Sequence, residues 1–325
     1  MELVKNQHYV PQSYLKYFAD SKEKIFVFDK VNEKIFPSNV RNIASERFFY
    51  DFPESLVDSL NESLPNKQVV EKFFSKHIEG EFSKLLNNIR ARYTLSSDIY
   101  SIIAITKEEK SKLSILLTYQ LLRTKEFRET MLKGQELFLQ VLIDSIGVEE
   151  IEGYNIGDAT VERNKQFDSI EHARLMFDSD MIKDFSLILY NHIWTIGVNV
   201  TNIPLYTSDN PFVKHGHNEN EFLSNNGLAS EGIEINFPIS SNLILIIYDR
   251  KFFEELSYFY ENRFIELFEE NIKYANWLQV TSSNRQIYCK ENNFTMIEDM
   301  KKKNKNILNN KTRWTAHANG KVYKK

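Results

Sequence analysis

The sequence predicts an α+β fold, helix-dominated, with a mainly antiparallel sheet built from N-terminal and C-terminal segments. Three observations support this. Glycine and proline are scarce, at 10 and 7 of 325 residues, which disfavours turn-dense sandwiches and glycine-rich nucleotide-binding folds. Long runs in the middle of the chain carry apolar residues at helical spacing. Runs rich in β-branched and aromatic residues lie near both ends and do not alternate regularly with the helices.

The first elements follow from local patterns. Proline at position 11 suits the first turn of a short helix, and residues 24–36 alternate as a hairpin does. Residues 66–92 carry the clearest helical apolar stripe. Thr106 and Glu109 have the spacing of a capping box, which predicts a helix that continues to about residue 143.

The second half of the chain is less regular but still periodic in places. The predicted order is a loop at 147–166, a helix at 167–192, strands at 194–200 and 205–207, a polar loop at 214–230, strands at 233–237 and 243–248, a helix at 251–275 and a strand at 285–289. These elements predict one domain over residues 1–300, with a helical middle at about 66–192, followed by a basic C-terminal tail at 301–325.

The composition is that of a globular protein, with 42% hydrophobic and 26% charged residues. The one cysteine, Cys289, cannot form an internal disulfide and is expected to be a small packed residue. No run approaches the roughly 20 apolar residues that span a bilayer, and the N-terminus lacks the apolar core of a signal peptide. We therefore expect a cytoplasmic protein with no membrane partner.

Charge is unevenly distributed along the chain. The net charge is −4, but residues 301–325 contain nine basic residues and no acidic one. Residues 1–300 therefore carry 32 basic and 45 acidic side chains, a net charge of −13. The tail could bind nucleic acid electrostatically, with Trp314 as a stacking group. The alternative is a solvated, partly disordered C-terminus.

Several common catalytic motifs are absent. The chain has no G-x-x-x-x-G-K-[ST], G-x-G-x-x-G, H-E-x-x-H or G-x-S-x-G sequence. Their absence argues against P-loop NTPases, Rossmann dehydrogenases, zincins and ordinary α/β-hydrolases.

The most distinctive motif is QHYVPQ at residues 7–12. Proline restricts the backbone that precedes it, so the ring of His8 is attached to a conformationally fixed segment. A fixed ring suits a catalytic base or a metal ligand. It equally suits a histidine pinned by hydrogen bonds under the first helix, and residue chemistry leaves both interpretations open.

A second motif, TSDNP at residues 207–211, ends an apolar strand-like run. It aims short polar groups away from the strand end, where sites are commonly built. Asp209 could bind a metal, act as a base or orient His8. Alternatively it forms an Asx turn in which the carboxylate binds nearby backbone.

Two predicted helices carry polar residues beside their apolar stripes. Glu79 falls off the stripe of residues 66–92 and faces either solvent or a cleft. Gln120 and Arg123 lie three residues apart on one face and interrupt an apolar run. Polar groups on a core-facing side need partners, so these two either brace another element or line a pocket.

These motifs resemble a known family. The chain is similar to the bacterial family catalogued as domain of unknown function 4238 over roughly residues 5–290, in six blocks: QHYVPQSYLKYF, NIASERFFYD, HIEGEFSKLL, YQLLRTKEFRE, YTSDNPFV and NFPISSNLIL. The resemblance places on the family's signature blocks His8, Pro11, Glu46, Tyr50, Glu79, Gln120, Arg123, Ser208, Asp209 and Pro211. It also implies a bacterial cytoplasm and a setting among accessory or phage-defence genes, with a companion defence protein as a partner.

The first functional hypothesis is a metal-assisted hydrolase that cleaves a phosphodiester, as a nuclease does. His8 is its base, and Arg123 holds a phosphate oxygen through its planar guanidinium. Asp209, Glu79 and Glu46 are the carboxylates that would hold or orient a divalent ion, Mg²⁺ or Mn²⁺. The residues expected to bind around them are Gln7, Tyr50, Gln120, Ser208 and Asn210.

Two other interpretations remain open. The same polar groups could form the recognition pocket of a non-enzymatic sensor or binding module for a small ligand or a phage protein. They could also form a buried network that fixes how the β-rich ends dock on the helical middle. The site hypotheses share one geometric expectation: His8 and Asp209 lie within one or two side-chain lengths of each other, near Arg123 or a glutamate.

Overall fold

Two main sheets organise the computed structural model, which describes residues 3–54, 66–146, 150–151, 154–155, 160–218, 226–308, 314–318 and 321–324. The larger sheet contains β7 (Ile193–Asn199), β9 (Val213–Gly216), β10 (Ile233–Pro238), β11 (Leu243–Tyr248) and β12 (Phe264–Leu267). Their order is β12-β7-β11-β10-β9, and the one parallel pair in this sheet is β12 with β7.

The smaller sheet joins both ends of the chain. It contains β2 (Lys24–Asp29), β3 (Lys34–Asn39), β8 (Thr207–Ser208) and β13 (Gln286–Cys289), in the order β3-β2-β13-β8, all antiparallel. Short antiparallel pairs add β1 (Asn6–His8) with β4 (Ser45–Arg47), β5 (Glu150–Ile151) with β6 (Tyr154–Asn155), and β14 (Thr315–Ala318) with β15 (Lys321–Lys324). The α+β class and the mainly antiparallel sheets are confirmed.

Helices account for most of the remaining described structure. They are α1 (Gln12–Leu15), α2 (Val69–Phe73), α3 (Glu79–Leu95), α4 (Lys107–Leu122), α5 (Lys125–Ile146), α6 (Asp168–Met176), α7 (Ser179–Asn191), α8 (Glu254–Tyr260), α9 (Glu269–Ser282) and α10 (Thr295–Lys303). The predicted capping box at the start of α4 is present, because Thr106 and Glu109 satisfy each other's backbone N–H groups. A π turn, Phe74–Ile78, joins α2 to α3.

The predicted long helix beyond Thr106 is wrong in one respect: it breaks at residues 123–124. Thr124 causes the break locally, because its hydroxyl donates to the Leu121 carbonyl and accepts from the Phe127 backbone N–H. These side-chain bonds compete with the helical ladder. The predicted helix at 251–275 is likewise two helices, α8 and α9, separated by strand β12. The predicted helix at 167–192 is also divided, into α6 and α7, by a break at residues 177–178.

Two predicted loops also change. The first three residues of the predicted polar loop at 214–230 belong to strand β9, which pairs with β10, and residues 219–225 lie outside the described residues. The short pair β5–β6 lies inside the predicted loop at 147–166, of which residues 147–149, 152–153 and 156–159 lie outside the description.

The main hydrophobic core lies where α1, α2, α3 and α4 pack on the larger sheet. Its members include Phe82 from α3, Leu117 from α4 and Trp194 from β7. A second cluster packs α10 against the smaller sheet and includes Cys289, which is buried as expected. No helix among the described residues combines the length and apolar character that crossing a membrane requires.

The described part of the C-terminal tail packs against the body of the protein. Leu308 is buried in the second cluster. The Trp314 indole N–H donates to the Thr130 carbonyl of α5, and the Tyr323 hydroxyl donates to Asp144. These contacts favour a C-terminal tail that packs on the body of the protein. They disfavour the solvated, partly disordered tail that the charge pattern offers as an alternative.

Candidate functional site

Arg123 lies at the C-terminal end of α4, and its side chain is 1% exposed. Its Nη2 donates to the backbone oxygen of His8 at 2.6 Å and to Glu79 Oε1 at 3.0 Å. The guanidinium lies 4.1 Å from the centroid of the Phe74 ring, which is a cation–π contact. The end of α4, strand β1 and the start of α3 therefore meet at one buried cation.

The π turn between α2 and α3 supplies two of these contacts. Phe74 is its first residue, and Glu79 immediately follows it. A π turn offsets the helix that follows and is frequent at functional sites. Helical periodicity alone does not reveal it, because the apolar stripe continues through the turn at Phe74 and Ile78.

Gln7 and Tyr50 connect strand β1 to the same region. Gln7 Oε1 accepts from the Tyr50 backbone N–H at 2.6 Å, and Gln7 Nε2 donates to Asp51. The Tyr50 hydroxyl donates to the Arg123 carbonyl at 2.8 Å. Both side chains are buried. The Gln7 amide and the Tyr50 hydroxyl, which the sequence suggests as ligand-binding groups, form hydrogen bonds within the protein.

His8 is buried beside Arg123, with its ring held between α1 and the chain at residues 40–41. Gln12 Nε2 lies 3.4 Å from His8 Nδ1. Burial lowers the pKa of His8, although Glu79 and the backbone of Arg41 favour its charged form. His8 is therefore a neutral imidazole near neutral pH, and its own backbone carbonyl is a ligand of Arg123.

Two acidic residues in this region were missed by sequence reasoning. Glu71, on α2, lies close enough to Arg123, Glu79 and Asp51 to interact with all three, and burial raises the pKa of Glu71 to about 7. Asp51 accepts from Gln7 and from Gln68 through Oδ1. The signal that could have found Glu71 is its position within the apolar stripe of residues 66–92, directly after buried Val70.

We call this group of residues the Arg123 centre: Gln7, His8, Tyr50, Asp51, Glu71, Glu79, Gln120 and Arg123. Ten buried side-chain atoms in the described residues have no hydrogen-bond partner, and six of them lie here: His8 Nε2, Asp51 Oδ2, Glu71 Oε2, Gln120 Oε1, Arg123 Nε and Arg123 Nη1. Buried polar atoms normally have partners. Their concentration at one place marks the Arg123 centre as the leading candidate site.

Asp209 has hydrogen-bond partners of its own and is 1% exposed. Its Oδ1 accepts from the Asn284 N–H, and its Oδ2 accepts from those of Arg285 and Gln286, at 2.8–2.9 Å. Burial raises the pKa of Asp209 to about 6, against these three donors, which stabilise the charged form. The carboxylate thus binds the backbone that leads into β13.

Ser208 and Asn210 fasten the same turn to α9. The Ser208 hydroxyl donates to Gln279 Oε1 at 2.7 Å, and Asn210 Nδ2 donates to the Ser282 carbonyl at 2.9 Å. We call Ser208, Asp209 and Asn210 the Asp209 clamp. The three side chains join the end of β8 and the turn after it to α9 and to the backbone that leads from α9 into β13.

The Arg123 centre and the Asp209 clamp lie beside two consecutive residues, His8 and Tyr9. Arg123 binds the carbonyl of His8, and Gln120 Nε2 donates to the carbonyl of Tyr9 at 3.2 Å. Burial and then the Asp209 carboxylate raise the pKa of Tyr9, so the clamp lies near the Tyr9 hydroxyl. No hydrogen bond joins the described side chains of His8 and Asp209.

The carboxylates expected to hold a metal have other partners. Glu79 pairs with Arg123, and Glu46, on β4, pairs with Lys125. Within the described residues no three His, Cys, Asp or Glu side chains come together in a way that could hold a metal ion. The geometry therefore gives the expected Mg²⁺ or Mn²⁺ ion no ligand set in this part of the chain.

The fold and the Arg123 centre define a helix-rich α+β protein with a buried polar centre between its N-terminal strand and its helical layer. The chain belongs to the family DUF4238, described as "Protein of unknown function", whose model matches residues 6–293. No curated protein and no solved structure matches the chain. The matched region contains the Arg123 centre and the Asp209 clamp.

Proposed function

We propose that the protein is a sensor or binding module that holds a small polar ligand at the Arg123 centre. The observation that supports this is the concentration there of buried polar atoms without partners. Burying such atoms costs on the order of 1–3 kcal/mol each. A ligand that satisfied several of them would recover much of that cost when it bound.

The unpaired atoms specify the chemistry of the ligand. Arg123 offers two N–H donors at Nε and Nη1, whereas Gln120, Glu71 and Asp51 offer acceptor oxygens. A matching molecule carries an oxyanion or carbonyl group together with amino or amide donors. Amino acids, nucleobases and nucleosides have this combination.

A thermal-shift screen of those three compound classes tests the proposal. A ligand at 100 times its dissociation constant stabilises the fold by about 2.7 kcal/mol, which raises the melting temperature by several degrees. We expect Arg123→Lys, which keeps the charge but loses the planar donors, to abolish the shift, while the exposed control Arg174→Lys retains it. Ordered waters on all six atoms together with no shift from any compound would refute the proposal.

Metal-assisted hydrolysis of a phosphodiester is a second candidate. What supports it is the buried His8 residue, whose backbone oxygen binds the Arg123 guanidinium. Burial lowers the pKa of His8, which favours the neutral imidazole that can act as a base. Incubation with DNA or RNA and Mg²⁺ or Mn²⁺ tests it. This hypothesis expects cleavage that is lost in His8→Asn and Asp209→Asn while both variants stay folded; the binding proposal expects no cleavage.

The cellular role stays a proposal as well. We propose a bacterial cytoplasmic protein that acts in phage defence, alone or with a companion protein. A plaque assay with cells that express wild type or Arg123→Lys tests this. Protection that is equal in both strains, or absent from both, would separate the Arg123 centre from any defence role.

A further inference from the structure

A small polar cleft of about 240 Å³ lies away from the Arg123 centre. Four parts of the chain form it: the 3₁₀ turn after α1, the C-terminal half of α3, the tight turn between β10 and β11, and the residue after β13. Each of these parts contributes a polar or basic side chain. The cleft is too small for a drug-sized molecule but has room for a small metabolite.

The lining of the cleft carries three cations, Lys16, Arg90 and Lys290, and no carboxylate. Lys16 pairs with Glu23 at 2.8 Å. Neither Arg90 nor Lys290 forms an ion pair within the described part of the chain. In a body with a net charge of −13 over residues 1–300, two such cations beside one cleft produce a local positive potential.

Arg90 is held in place for this role. Its guanidinium lies 4.2 Å from the centroid of the Tyr17 ring, and Nη1 donates to Asn87 Oδ1 at 3.1 Å. A stacked guanidinium loses less conformational freedom when it binds a ligand. Its remaining N–H groups are left to donate to an anion.

The turn between β10 and β11 adds neutral donors. Ser240 Oγ accepts from the backbone N–H groups of Asn242 and Leu243, which leaves its hydroxyl proton to donate elsewhere. The Ser241 hydroxyl donates to Asn242 Oδ1, and Asn242, whose amide nitrogen can donate, lines the cleft as well. The cleft therefore presents cations and hydrogen-bond donors to one small volume.

We infer that this cleft binds the phosphate group of a small phosphomonoester. A phosphate offers only acceptor oxygens and negative charge, so it matches a site built from donors and cations. The volume leaves space for a sugar-sized group beyond the phosphate. No residue of the Arg123 centre lines this cleft, so phosphate binding here does not depend on the ligand proposed there.

Isothermal titration calorimetry of the full chain tests the inference, with inorganic phosphate, ribose 5-phosphate, ribose and sulfate as probes. We expect ribose 5-phosphate to bind most tightly, ribose not to bind, and affinity to fall as salt rises. Arg90→Gln and Lys290→Gln should each weaken binding at least about tenfold. The exposed controls Lys84→Gln, on the same helix, and Arg174→Gln should stay within about twofold.

Three results would overturn the inference: no binding of ribose 5-phosphate to the wild type, equal affinity for sulfate and ribose 5-phosphate, or equal losses in the controls. Thermal melts of all variants show whether they are folded. Because Lys290 is exposed, Lys290→Gln is expected to fold even if Arg90→Gln does not, and it then decides the outcome.

Discussion

At the residue scale, Asp209 has hydrogen-bond partners that its sequence motif does not reveal. Sequence chemistry offered a base, a metal ligand or an Asx turn, and the carboxylate accepts three backbone N–H groups from residues 284–286. That arrangement is close to the turn alternative, except that the backbone it binds comes from 75 or more residues away. A carboxylate that accepts three backbone N–H groups holds the turn after β8 against the segment that leads into β13.

The clamp role predicts a stability effect for Asp209→Asn. Asparagine retains one acceptor oxygen, so at least one buried N–H loses its partner, and we expect the free energy of unfolding to fall by about 1–3 kcal/mol. Denaturant unfolding measures this. Asp299→Asn, which alters only an exposed pair with Lys302, should change stability by less than about 0.5 kcal/mol. Full stability with lost activity would instead indicate a catalytic Asp209.

His172 has a fully partnered ring near the Arg123 centre. Arg128 Nε donates to Nδ1 at 2.9 Å, and Nε2 lies 2.6 Å from the Leu122 carbonyl, which fixes the proton on Nε2. Burial and then the Arg128 charge hold the pKa of His172 well below 6.5. A charged ring would leave two cations facing each other in the core.

This neutral histidine predicts a pH dependence. Below pH ~6.5 the unfolded chain binds a proton at this position and the folded chain does not, so His172 lowers stability by up to about 1.4 kcal/mol per pH unit. The loss begins at the unfolded pKa and continues towards the lower folded pKa. His172→Gln keeps both hydrogen bonds and should flatten the slope between pH 6.5 and 5. Urea unfolding at several pH values measures it, and a slope as steep in His172→Gln as in the wild type would contradict this role of His172.

At the scale of elements, the packing around β7 requires glycine at position 197. A Cβ on Gly197 would meet the Leu267 side chain at 2.4 Å and Ile244 at 2.9 Å. These residues lie on the two neighbouring strands, β12 and β11. Gly197 therefore allows the parallel and antiparallel neighbours to approach β7 closely.

Two glycine substitutions should change stability in opposite directions. Gly197→Ala overpacks the sheet, and we expect it to lower the free energy of unfolding by about 1–3 kcal/mol. Gly80→Ala, in α3, meets nothing within 4 Å and should raise stability by about 0.5–1 kcal/mol through helix propensity. Chemical denaturation of both variants measures this. A neutral Gly197→Ala would mean that β12 does not lie against β7 in solution.

At the scale of the whole molecule, the described parts of the C-terminal tail pack against the body of the protein at two places. Leu308 is buried in the cluster that contains Phe294 and Ile297, whereas the hairpin β14–β15 contacts mainly α5. The solvated, partly disordered C-terminus that charge patterning offers as one interpretation would be dispensable for folding. The packing leads us to expect that only its distal part is dispensable.

Two truncations separate these parts of the tail. A chain that ends at residue 300 loses Leu308, whose burial contributes about 1.5–3 kcal/mol, and should melt several degrees below wild type. A chain that ends at residue 308 should melt within a few degrees of wild type. Differential scanning calorimetry gives both values, and equal melting temperatures for the two truncations would show that Leu308 adds nothing.

The same two chains test nucleic-acid binding. The nine basic residues after position 300 predict polynucleotide binding that weakens with salt. Ion pairs of Lys301 with Glu33 and of Lys321 with Asp144 neutralise part of this charge. We expect affinity and salt slope to fall in the chain that ends at residue 308, measured by fluorescence anisotropy on single-stranded DNA. Unchanged affinity would exclude the distal tail as the binding element.

Local pattern was sufficient for much of the fold. The stripe of residues 66–92, the capping box at Thr106 and the hairpin at 24–36 were all predictable, because periodicity and capping depend on residues a few positions apart. Strand β12 was not predictable, because its neighbour in the described sheet is β7: Phe264 pairs with Ile196, and 264 − 196 = 68 residues separate them. The break after Leu122 had a local cause in Thr124, whose signal was hidden by strong helical periodicity on both sides.

By itself the sequence determined which residues are unusual; tertiary structure decided what they touch. His8, Arg123 and Asp209 stand out because they are polar residues within apolar or conformationally restricted segments. Arg123 binds the His8 carbonyl, which is 115 residues away in the sequence. Asp209 binds the backbone N–H of Asn284, which follows α9 and is 75 residues away in the sequence. Hydrogen-bond partners at such separations depend on how elements pack, and no periodicity in the chain encodes them. The different hydrogen-bond partners of Arg123 and Asp209 therefore appear only in the folded protein.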